Sequence, residues 1–381
     1  MAELSSDERR ARIVLSRIVE PGDVDACRLV REHSAAALLQ RLQTGIHPGK
    51  AKLRDWSERV SRAGYDEITA LADSVNARYI CPGDAEWPPT ANDLQRLEQE
   101  SGDRRGGAPF GLWVRGSGHL GQLAERAVVI VGARASTAYG EHVAGAIAFG
   151  CAEQGFTVVS GGAFGIDAAS HRGALAGGGR TLALLASGVD RLYPPGNTQL
   201  LKRITETGVV VSEAAPGCVP SRSRFLVRNR LIAALAIGTV VVEAALRSGS
   251  LNTARWALDL SRLVMGVPGP VTGASSAGVH QLLRQPETLL VTDAPEVIEH
   301  ISPPGSNLAP SKQGPSSQRD LLHPRSRQLL DAVPAVVAAT AESIAKAAGL
   351  SYCDVVARLH ALERMGAVAR EDKDRWRISR Q

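Results

Sequence analysis

The fold is decided by residues 127–167, AVVIVGARASTAYGEHVAGAIAFGCAEQGFTVVSGGAFGID. Five apolar residues, Ala127–Val131, precede a glycine, which predicts a buried strand that ends in a tight turn. Residues 139–153 then have the length and composition of a helix, and Thr157–Ser160 form a second short strand before two glycines. A strand, a helix and another continuous apolar strand predict a βαβ unit, with parallel strands covered on both faces.

The same alternation continues along the chain as far as about residue 267. Further strands are predicted at 181–186, 209–212, 239–243 and 263–267, with helices at 167–175, 197–206, 229–237 and 253–260. Repeated alternation of strands and helices is typical of a doubly wound α/β domain. We therefore predict a Rossmann-like, mostly parallel sheet with helices on both faces.

The regions on either side of this alternation have different patterns. Residues 1–75 carry apolar side chains at three- and four-residue spacing, which predicts a helical N-terminal domain. The extended α/β domain is predicted to cover 76–301. Residues 302–322, rich in Ser, Pro, Gly and Gln, are predicted to be a flexible linker. Three helices and two short strands within 323–381 indicate a winged-helix-like domain.

The composition is typical of a cytoplasmic protein. Hydrophobic residues make up 44% of the 381 residues, which is enough for a large core and excludes global disorder. The five cysteines are dispersed without a CxxC pair, which indicates reduced thiols and no zinc site. The sequence starts without an apolar signal segment, and its apolar runs fall short of the ~20 residues that span a bilayer. We expect a cytoplasmic location, no membrane segment and no metal.

Two turns that follow predicted strands are candidate anion sites, because ligands of doubly wound sheets bind beyond the carboxyl ends of the strands. In VGARAS, residues 131–136, the candidates Arg134 and Ser136 precede a helix, whose N-terminus favours an anion. In SGGAFGID, residues 160–167, three glycines in five residues allow a concavity lined by amides for a phosphate. The candidates in this second turn are Ser160, Gly161, Gly162, Gly165 and Asp167, the last of which is also a candidate helix cap.

The strongest candidate site is the segment SRSRFLVRNR, residues 221–230. It holds four arginines in nine residues and has no acidic residue. Arginines bind phosphates bidentately, and an aromatic side chain can stack on an unpaired base. Phe225 alone is more often a core residue. The candidates here are Arg222, Arg224, Phe225, Arg228, Asn229 and Arg230.

A fourth candidate site follows the predicted strand that ends at Glu243. Ser248 and Ser250 offer hydroxyls and amides at a predicted helix start, which is an arrangement that binds anions. Thr253 offers a further hydroxyl there, and Ser250 or Thr253 alone is equally well explained as a simple helix N-cap. Glu243 is predicted to be either a general base or a residue that holds the arginines in place. The net charge of +5 permits a polyanionic partner without requiring one.

Together, these peptides resemble the bacterial DNA-processing protein A family, DprA, also called Smf. The motifs that carry the resemblance are VGAR at 131–134, SGGAFGID at 160–167, YPPGN at 193–197, SEAAPG at 212–217, FLVRNRLIAAL at 225–235, VVEAALRSGSLNTA at 241–254 and VPGPV at 267–271. They occur in the family's order over about residues 110–290, which is far more specific than a single glycine motif. Leu226 stands where the family usually has proline, so an altered local turn is expected there.

The resemblance implies that the chain binds single-stranded DNA in a basic pocket of the Rossmann-like domain. It also implies a homodimer that delivers this DNA to the RecA recombinase, as in natural transformation. A SAM-like N-terminal domain and a winged-helix-like C-terminal domain fit the family too, and neither a cofactor nor catalysis is expected. By match to the motifs, the leading DNA contacts are Arg134, the Gly161–Gly165 loop, Arg222, Arg224 and Phe225. Arg228, Asn229 and Arg230 either contact DNA or brace the pocket.

Two other functions remain open on the residues alone. A phosphoribohydrolase that cleaves nucleotides on a related sheet would use Glu243 as catalytic acid and Arg134 as phosphate clamp. Such enzymes carry PGGxGT where this chain has AIGTV at 236–240. Alternatively, the winged-helix-like domain binds double-stranded DNA through a helix at 351–365, which carries only two arginines. A protein-interaction or dimerisation role for that domain is at least as well supported.

Overall fold

The computed structural model describes residues 4–45, 51–61, 63–100, 106–312 and 319–379, without the side chains of 98–100. The chain forms two compact units, the first ending at Ala309 and the second beginning at Pro310. Residues 313–318 of the predicted linker lie outside the described residues, as do 1–3, 46–50 and 62 of the predicted N-terminal domain. The division into four domains stays a prediction.

The first unit begins with helices α1 to α5. They are α1 (Ser6–Ile18), α2 (Val24–His33), α3 (Ala35–Thr44), α4 (Ala51–Val60) and α5 (Tyr65–Asp73). Their apolar faces meet in a shared core that includes Leu15 and Leu38. On the opposite side, Ile13 of α1 and Ile68 of α5 pack into a second cluster with Trp113 of the sheet. The predicted helical N-terminal region is therefore present as a layer of the same unit as the sheet.

Nine strands of the described chain form one sheet. In chain order they are β1 (Ala77–Ile80), β2 (Leu112–Arg115), β3 (Ala127–Val131), β4 (Thr157–Ser160), β5 (Thr181–Leu184), β6 (Val209–Ser212), β7 (Gly238–Val241), β8 (Leu263–Gly266) and β9 (Thr288–Leu290). Their order across the sheet is β1-β2-β6-β5-β4-β3-β7-β8-β9. β3 to β9 are parallel, whereas β2 pairs antiparallel with both β1 and β6. The predicted mostly parallel sheet is confirmed.

Helices cover both faces of this sheet. The remaining helices of the first unit are α6 (Leu94–Glu100), α7 (Leu120–Glu125), α8 (Ala138–Glu153), α9 (Ile166–Ala176), α10 (Thr198–Thr207), α11 (Arg222–Ala234), α12 (Gly249–Asp259), α13 (Ala277–Leu282) and α14 (Ala294–Ile301). Val128 and Ile130 of β3 pack with α8, α9 and α14. Val129 and Val131 belong to the core with α11, α12 and α13. Alternate residues of one strand thus fill two cores, which explains its continuous apolar run.

The winding of the sheet reverses between β3 and β7. From β3 the chain adds β4, β5 and β6 on one side, and then crosses to add β7, β8 and β9 on the other. Doubly wound folds bind ligands in the crevice outside the carboxyl ends of the strands at this switch point. The turn with Arg134 follows β3 and the loop with Ser248 follows β7. The fold therefore places two of the predicted anion sites at this crevice.

The structure corrects the start of α11, which begins at Arg222 and not at the predicted residue 229. Its cap is Ser221, whose hydroxyl accepts a hydrogen bond from the Arg224 amide. In this segment residues 221–224 are polar, 225–227 are apolar and 228–230 are polar. Such blocks have no helical period, so the apolar pattern did not mark the first two turns. The arginines consequently lie on a helix, and the altered turn expected at Leu226 does not occur.

The second unit is small and has its own core. Its elements are α15 (Pro324–Ala332), β10 (Ala339–Thr340), α16 (Ala341–Ala348), α17 (Tyr352–Arg364), β11 (Val368–Asp372) and β12 (Arg375–Ile378). The strands pair antiparallel in the order β10-β12-β11. Leu329, Ile344, Leu359 and Trp376 are buried between helices and sheet. The predicted winged-helix-like architecture is confirmed, with β10 as a strand that the sequence pattern did not predict.

Candidate functional site

Arg134 projects from the turn after β3, at the switch point. The residue is exposed, and its guanidinium carbon lies 4.7 Å from the centroid of the Phe225 ring. A cation–π contact orients the guanidinium plane without using its N–H groups. Ser136, two residues further on, donates its hydroxyl to Glu141 at 2.8 Å. The turn therefore presents an exposed arginine whose guanidinium is oriented by the Phe225 ring.

Phe225 is surrounded by charged and aromatic side chains. The Arg228 guanidinium lies 5.8 Å from its ring centroid, and the Tyr193 ring lies 5.9 Å away at an interplanar angle of 52°. Phe164 lies against Gly196, where a side chain would come within 2.8 Å of the Phe164 ring. Tyr193 and Phe164 are 41% and 48% exposed. Exposed rings beside arginine are the groups that stack on unpaired bases. We refer to Phe164, Tyr193 and Phe225 as the aromatic group.

The Gly161–Gly165 loop packs against the Arg134 turn. Gly165 has a φ of +73°, and a Cβ there would lie 2.4 Å from the Ala133 carbonyl oxygen, so this position requires glycine. The amides of Gly161 and Ala163 donate to one oxygen of Asp167, at 3.2 and 3.4 Å. These amides thus bind a carboxylate of the chain itself. The Asp167 carboxylate therefore occupies the amides that were predicted to bind a phosphate in this loop.

Asp167 lies inside the first turn of α9, whose N-cap is Gly165, so its predicted role as the helix cap is wrong. The buried Arg228 is close enough to interact electrostatically with Asp167, and it donates to the carbonyl oxygens of Gly161 at 2.8 Å and of Leu184. Burial raises the pKa of the Asp167 carboxyl, and the nearby Arg228 opposes this shift. Burial also lowers the pKa of Arg228 to about 10, against the attraction of Asp167. Each of the two residues hydrogen-bonds the glycine loop from beneath the surface.

The next two residues of α11 also brace the site. Asn229 donates its side-chain amide to the Gly249 carbonyl oxygen at 3.2 Å and to Asn252 at 3.3 Å, which joins α11 to α12. Arg230 is fully buried and donates to Glu213 at 2.9 Å. Of the two roles considered from the sequence for these residues, the geometry supports the bracing role.

The candidate serines have internal partners. Ser160 is fully buried and donates to the Ile130 carbonyl oxygen at 2.7 Å, so the structure does not bring it to the surface. Ser248 is the N-cap of α12, and its hydroxyl lies 2.7 Å from that of Ser250. Ser250 is 7% exposed. Ser248 is therefore the helix cap, a role that the sequence analysis had considered for Ser250, and Ser250 lies within the first turn of α12.

Glu243 connects the end of β7 to the turn after β3. It is 2% exposed. One carboxylate oxygen accepts from the Thr137 amide at 2.9 Å, and the other accepts from the Thr137 hydroxyl at 2.6 Å. Thr137 is the N-cap of α8, and a side chain at Gly140 would collide with the same carboxylate at 2.4 Å. Both oxygens of Glu243 are therefore engaged in holding the turn that carries Arg134.

Arg222 and Arg224 lie on the first turn of α11 but differ in their surroundings. Arg222 is exposed. Arg224 donates two hydrogen bonds to Glu20, at 2.9 Å each, and one to the Val219 carbonyl oxygen at 2.8 Å. The side chain of Arg224 is 15% exposed as a result. Arg222 thus faces solvent, whereas Arg224 is held by Glu20 of the N-terminal helical region.

Three residues of the site were missed by the sequence analysis. Phe164 and Tyr193 belong to the aromatic group, and Asn197 donates its side-chain amide to the carbonyl oxygens of Gly162 and Ala163, at 3.0 Å each. All three lie in the peptides SGGAFGID and YPPGN, which carried the family resemblance. The signal was thus present in the motifs, but no individual role had been inferred for these side chains.

Within 4–45, 51–61, 63–100, 106–312 and 319–379, no group of three or more His, Cys, Asp and Glu side chains is placed to hold a metal ion. Over the same residues, no helix has the length and apolar character needed to cross a membrane.

The fold and site define a Rossmann-like α/β protein with an arginine- and aromatic-lined crevice at the switch point, followed by a winged-helix-like unit. Residues 78–302 match the family model described as DNA recombination-mediator protein A. A DNA processing protein DprA of Mycobacterium tuberculosis is 42% identical over 371 residues, which cover 97% of this chain and 94% of the relative. The chain belongs to the DNA recombination-mediator protein A family.

Other relatives agree with this assignment. Protein Smf of Escherichia coli is 34% identical over 271 residues, covering 68% of this chain and 70% of that protein. The X-ray structure of DprA from Streptococcus pneumoniae is similar with a TM-score of 0.63 at 26% identity, covering 78% of this chain and 98% of that one. DNA processing protein A from Helicobacter pylori, described as having a unique single-stranded DNA binding mode, gives a TM-score of 0.50 at 26% identity, covering 59% and 95%.

Proposed function

We propose that this chain binds single-stranded DNA at the switch-point crevice and loads RecA onto it, as a cytoplasmic homodimer without catalytic activity. The observation that carries the DNA-binding proposal is the stacked pair of Arg134 and Phe225, whose ring centroid and guanidinium carbon are 4.7 Å apart. An arginine fork matches a phosphate, and the neighbouring aromatic group offers faces for bases. The Helicobacter pylori relative, described by its single-stranded DNA binding, supports the same conclusion.

The proposed contacts fall into two sets. Arg134, Ser136 and Arg222 contact phosphates, together with Arg224 once its own partner is displaced. The aromatic group stacks on bases, which requires bases that are not already stacked in a duplex. For three arginine–phosphate contacts per protomer, the slope of log K against log salt concentration is about −2, at ~0.7 per contact for single strands.

A non-enzymatic role is supported by the position of Glu243. A catalytic acid has to come within hydrogen-bond reach of the substrate. Glu243 is 2% exposed and both its oxygens accept hydrogen bonds from Thr137. A phosphoribohydrolase mechanism would require this carboxylate to leave the turn that it holds. Absence of ribose release from nucleoside monophosphates is the expected result of a direct assay.

The first test compares single-stranded and duplex competitors of the same sequence for their ability to displace a fluorescent single-stranded oligonucleotide from the whole protein. Stronger displacement by the single strand supports the role given to the aromatic group. Equal displacement by the duplex would contradict it. Tyr193→Ala is the diagnostic variant, because it removes one stacking ring and leaves the contact between Arg134 and Phe225 in place. It should reduce the preference for single strands more than it changes the salt dependence.

The RecA and homodimer parts of the proposal need their own assays. Family membership supports RecA loading, since a recombination mediator acts by handing DNA to a recombinase. The homodimer rests on the family resemblance of the motifs. We expect the protein to shorten the lag of RecA filament formation on DNA coated with single-strand-binding protein, and to sediment as a dimer. An unchanged lag would remove RecA loading from the proposal, and a monomer at all concentrations would remove the dimer.

A further inference from the structure

A contact between the N-terminal helices and α11 uses one of the proposed DNA-binding arginines. Arg224 donates from Nε and Nη2 to the two oxygens of Glu20, both at 2.9 Å. The two residues are 204 positions apart in the sequence. A guanidinium fork binds carboxylate and phosphate in the same bidentate geometry. Glu20 therefore occupies the donors that a DNA phosphate would use.

Glu20 has a second cation within reach. The Nη1 atom of Arg59, on α4, lies 4.0 Å from Glu20 Oε1, the oxygen that also accepts from Arg224 Nη2. Arg59 is itself paired with Asp55 at 2.9 Å. The Glu20 side chain is 51% exposed, so it can move through solvent. A carboxylate released from Arg224 thus has a neighbouring positive charge to receive it.

The contact also borders an open cleft. A cleft of about 250 Å³ lies between α11 and the N-terminal helices, and its lining residues are Glu20, Pro21, Asp23, Lys52, Ser223, Arg224 and Val227. Lys52 is held there by Asp23 and Asp25, each at 2.7 Å. The volume is ample for a phosphate group and its solvent. The cleft therefore gives a phosphate access to the Arg224 side chain.

We propose that Glu20 is an intramolecular counter-ion for Arg224, and that a phosphate of single-stranded DNA displaces it towards Arg59. This inference rests on the proposed function. Exposed and partly exposed ion pairs are weak, so exchange of one anion for another is feasible at ordinary DNA concentrations. The Arg224–Glu20 pair then lowers the affinity, because a DNA phosphate that binds Arg224 has to break it first.

The test measures the affinity of a fluorescent single-stranded oligonucleotide for wild type, Glu20→Gln and Glu20→Asp. Glu20→Gln removes the competing charge, and we expect a dissociation constant roughly two- to fivefold lower, the range given by weak surface pairs. Glu20→Asp keeps the charge but is too short to hold both donors of Arg224. It is expected to bind more tightly than wild type, whereas a simple effect of net charge predicts no change.

Two further variants complete the design. Glu32→Gln removes the same charge from an exposed pair with Arg28 within α2, and it should leave the affinity unchanged. In an Arg224→Ala background, Glu20→Gln should have no effect, because the competition has been removed. Identical affinities for wild type, Glu20→Gln and Glu20→Asp would overturn the counter-ion role. An effect of Glu20→Gln that persists without Arg224 would overturn it too.

Failure of this inference differs from failure of the proposed function. If wild type binds the oligonucleotide and Arg134→Ala weakens binding, but the Glu20 variants match wild type, then only the counter-ion role falls. If wild type does not bind the oligonucleotide, both proposals fall. Thermal unfolding of each variant checks that the first unit is intact, which is expected because the Glu20 side chain is half exposed.

Discussion

Replacing Glu243 with alanine tests whether this residue holds Arg134 in place. The change removes the acceptor of both the Thr137 amide and the Thr137 hydroxyl. Hydrogen bonds to a charged group contribute about 1.5–3 kcal/mol each. Because Thr137 is exposed and water can replace part of the loss, we expect the free energy of unfolding to fall by about 2 kcal/mol. Glu243→Gln retains one acceptor and should lose about half as much.

The functional consequence is separate from the loss of stability. Without the carboxylate, the turn no longer fixes Arg134 against Phe225, so one phosphate contact is weakened. The slope of log K against log salt concentration should become less negative by up to ~0.7. This slope does not depend on the fraction of folded protein. In an Arg134→Ala background, Glu243→Ala should change the slope no further.

The assay combines urea unfolding with salt titrations of oligonucleotide binding. Leu94→Ala is the matched control, because Leu94 is fully buried in the core of the first unit and is not part of the crevice. Truncation of a buried leucine costs about 2–5 kcal/mol, so this variant is at least as destabilised as Glu243→Ala. Its salt slope should equal that of wild type. Equal slopes for wild type, Leu94→Ala and Glu243→Ala would refute the positioning role.

Three further predictions follow from the site. Tyr193→Ala should weaken oligonucleotide binding by about 1–3 kcal/mol through the loss of one stacked base, with an unchanged salt slope; an unchanged affinity would exclude Tyr193 from the interface. Burial lowers the pKa of His171 to about 3. Below about pH 6.5, His171 is therefore protonated in the unfolded state while it stays neutral in the folded state. Stability should then drop by about 2 kcal/mol between pH 7 and 5, and urea unfolding of His171→Gln should show a weaker pH dependence; an equal dependence would contradict the assignment. Gly165→Ala should lower the free energy of unfolding by roughly 1–3 kcal/mol more than Gly45→Ala. Both glycines have a positive φ, but only at Gly165 would a Cβ lie 2.4 Å from a backbone oxygen. Equal losses in urea unfolding would contradict this steric clash.

The sheet could be predicted from the sequence because its strands are continuous apolar runs. The bounds of β3, β4 and β6 agree with the predicted 127–131, 157–160 and 209–212. Each run is buried on both faces, so its pattern does not depend on knowing which neighbours it has. β9 was missed because its three residues are only partly buried and carry little of this signal.

The candidate site was predicted in outline, and its chemistry only in part. Arg134 and Phe225 were nominated, and the structure brings them together. The sequence did not reveal that Asp167 fills the glycine loop, because the same residue type at a helix start is usually a cap. The pair of Arg224 and Glu20 joins positions 204 apart. No local sequence pattern marks such a contact. The sequence therefore did not reveal that Arg224 already donates its hydrogen bonds to Glu20.

The most direct test of the central claim is the salt dependence of single-stranded oligonucleotide binding by wild type, Arg134→Ala and Arg180→Ala. Arg180 is exposed just before β5, at the amino edge of the sheet, and its removal changes the net charge equally. We predict that wild type binds in a salt-sensitive manner. Arg134→Ala should bind more weakly, with a slope of log K against log salt concentration that is less negative by ~0.7. Arg180→Ala should behave as wild type. Equal behaviour of the two variants would contradict a DNA site at the switch-point crevice.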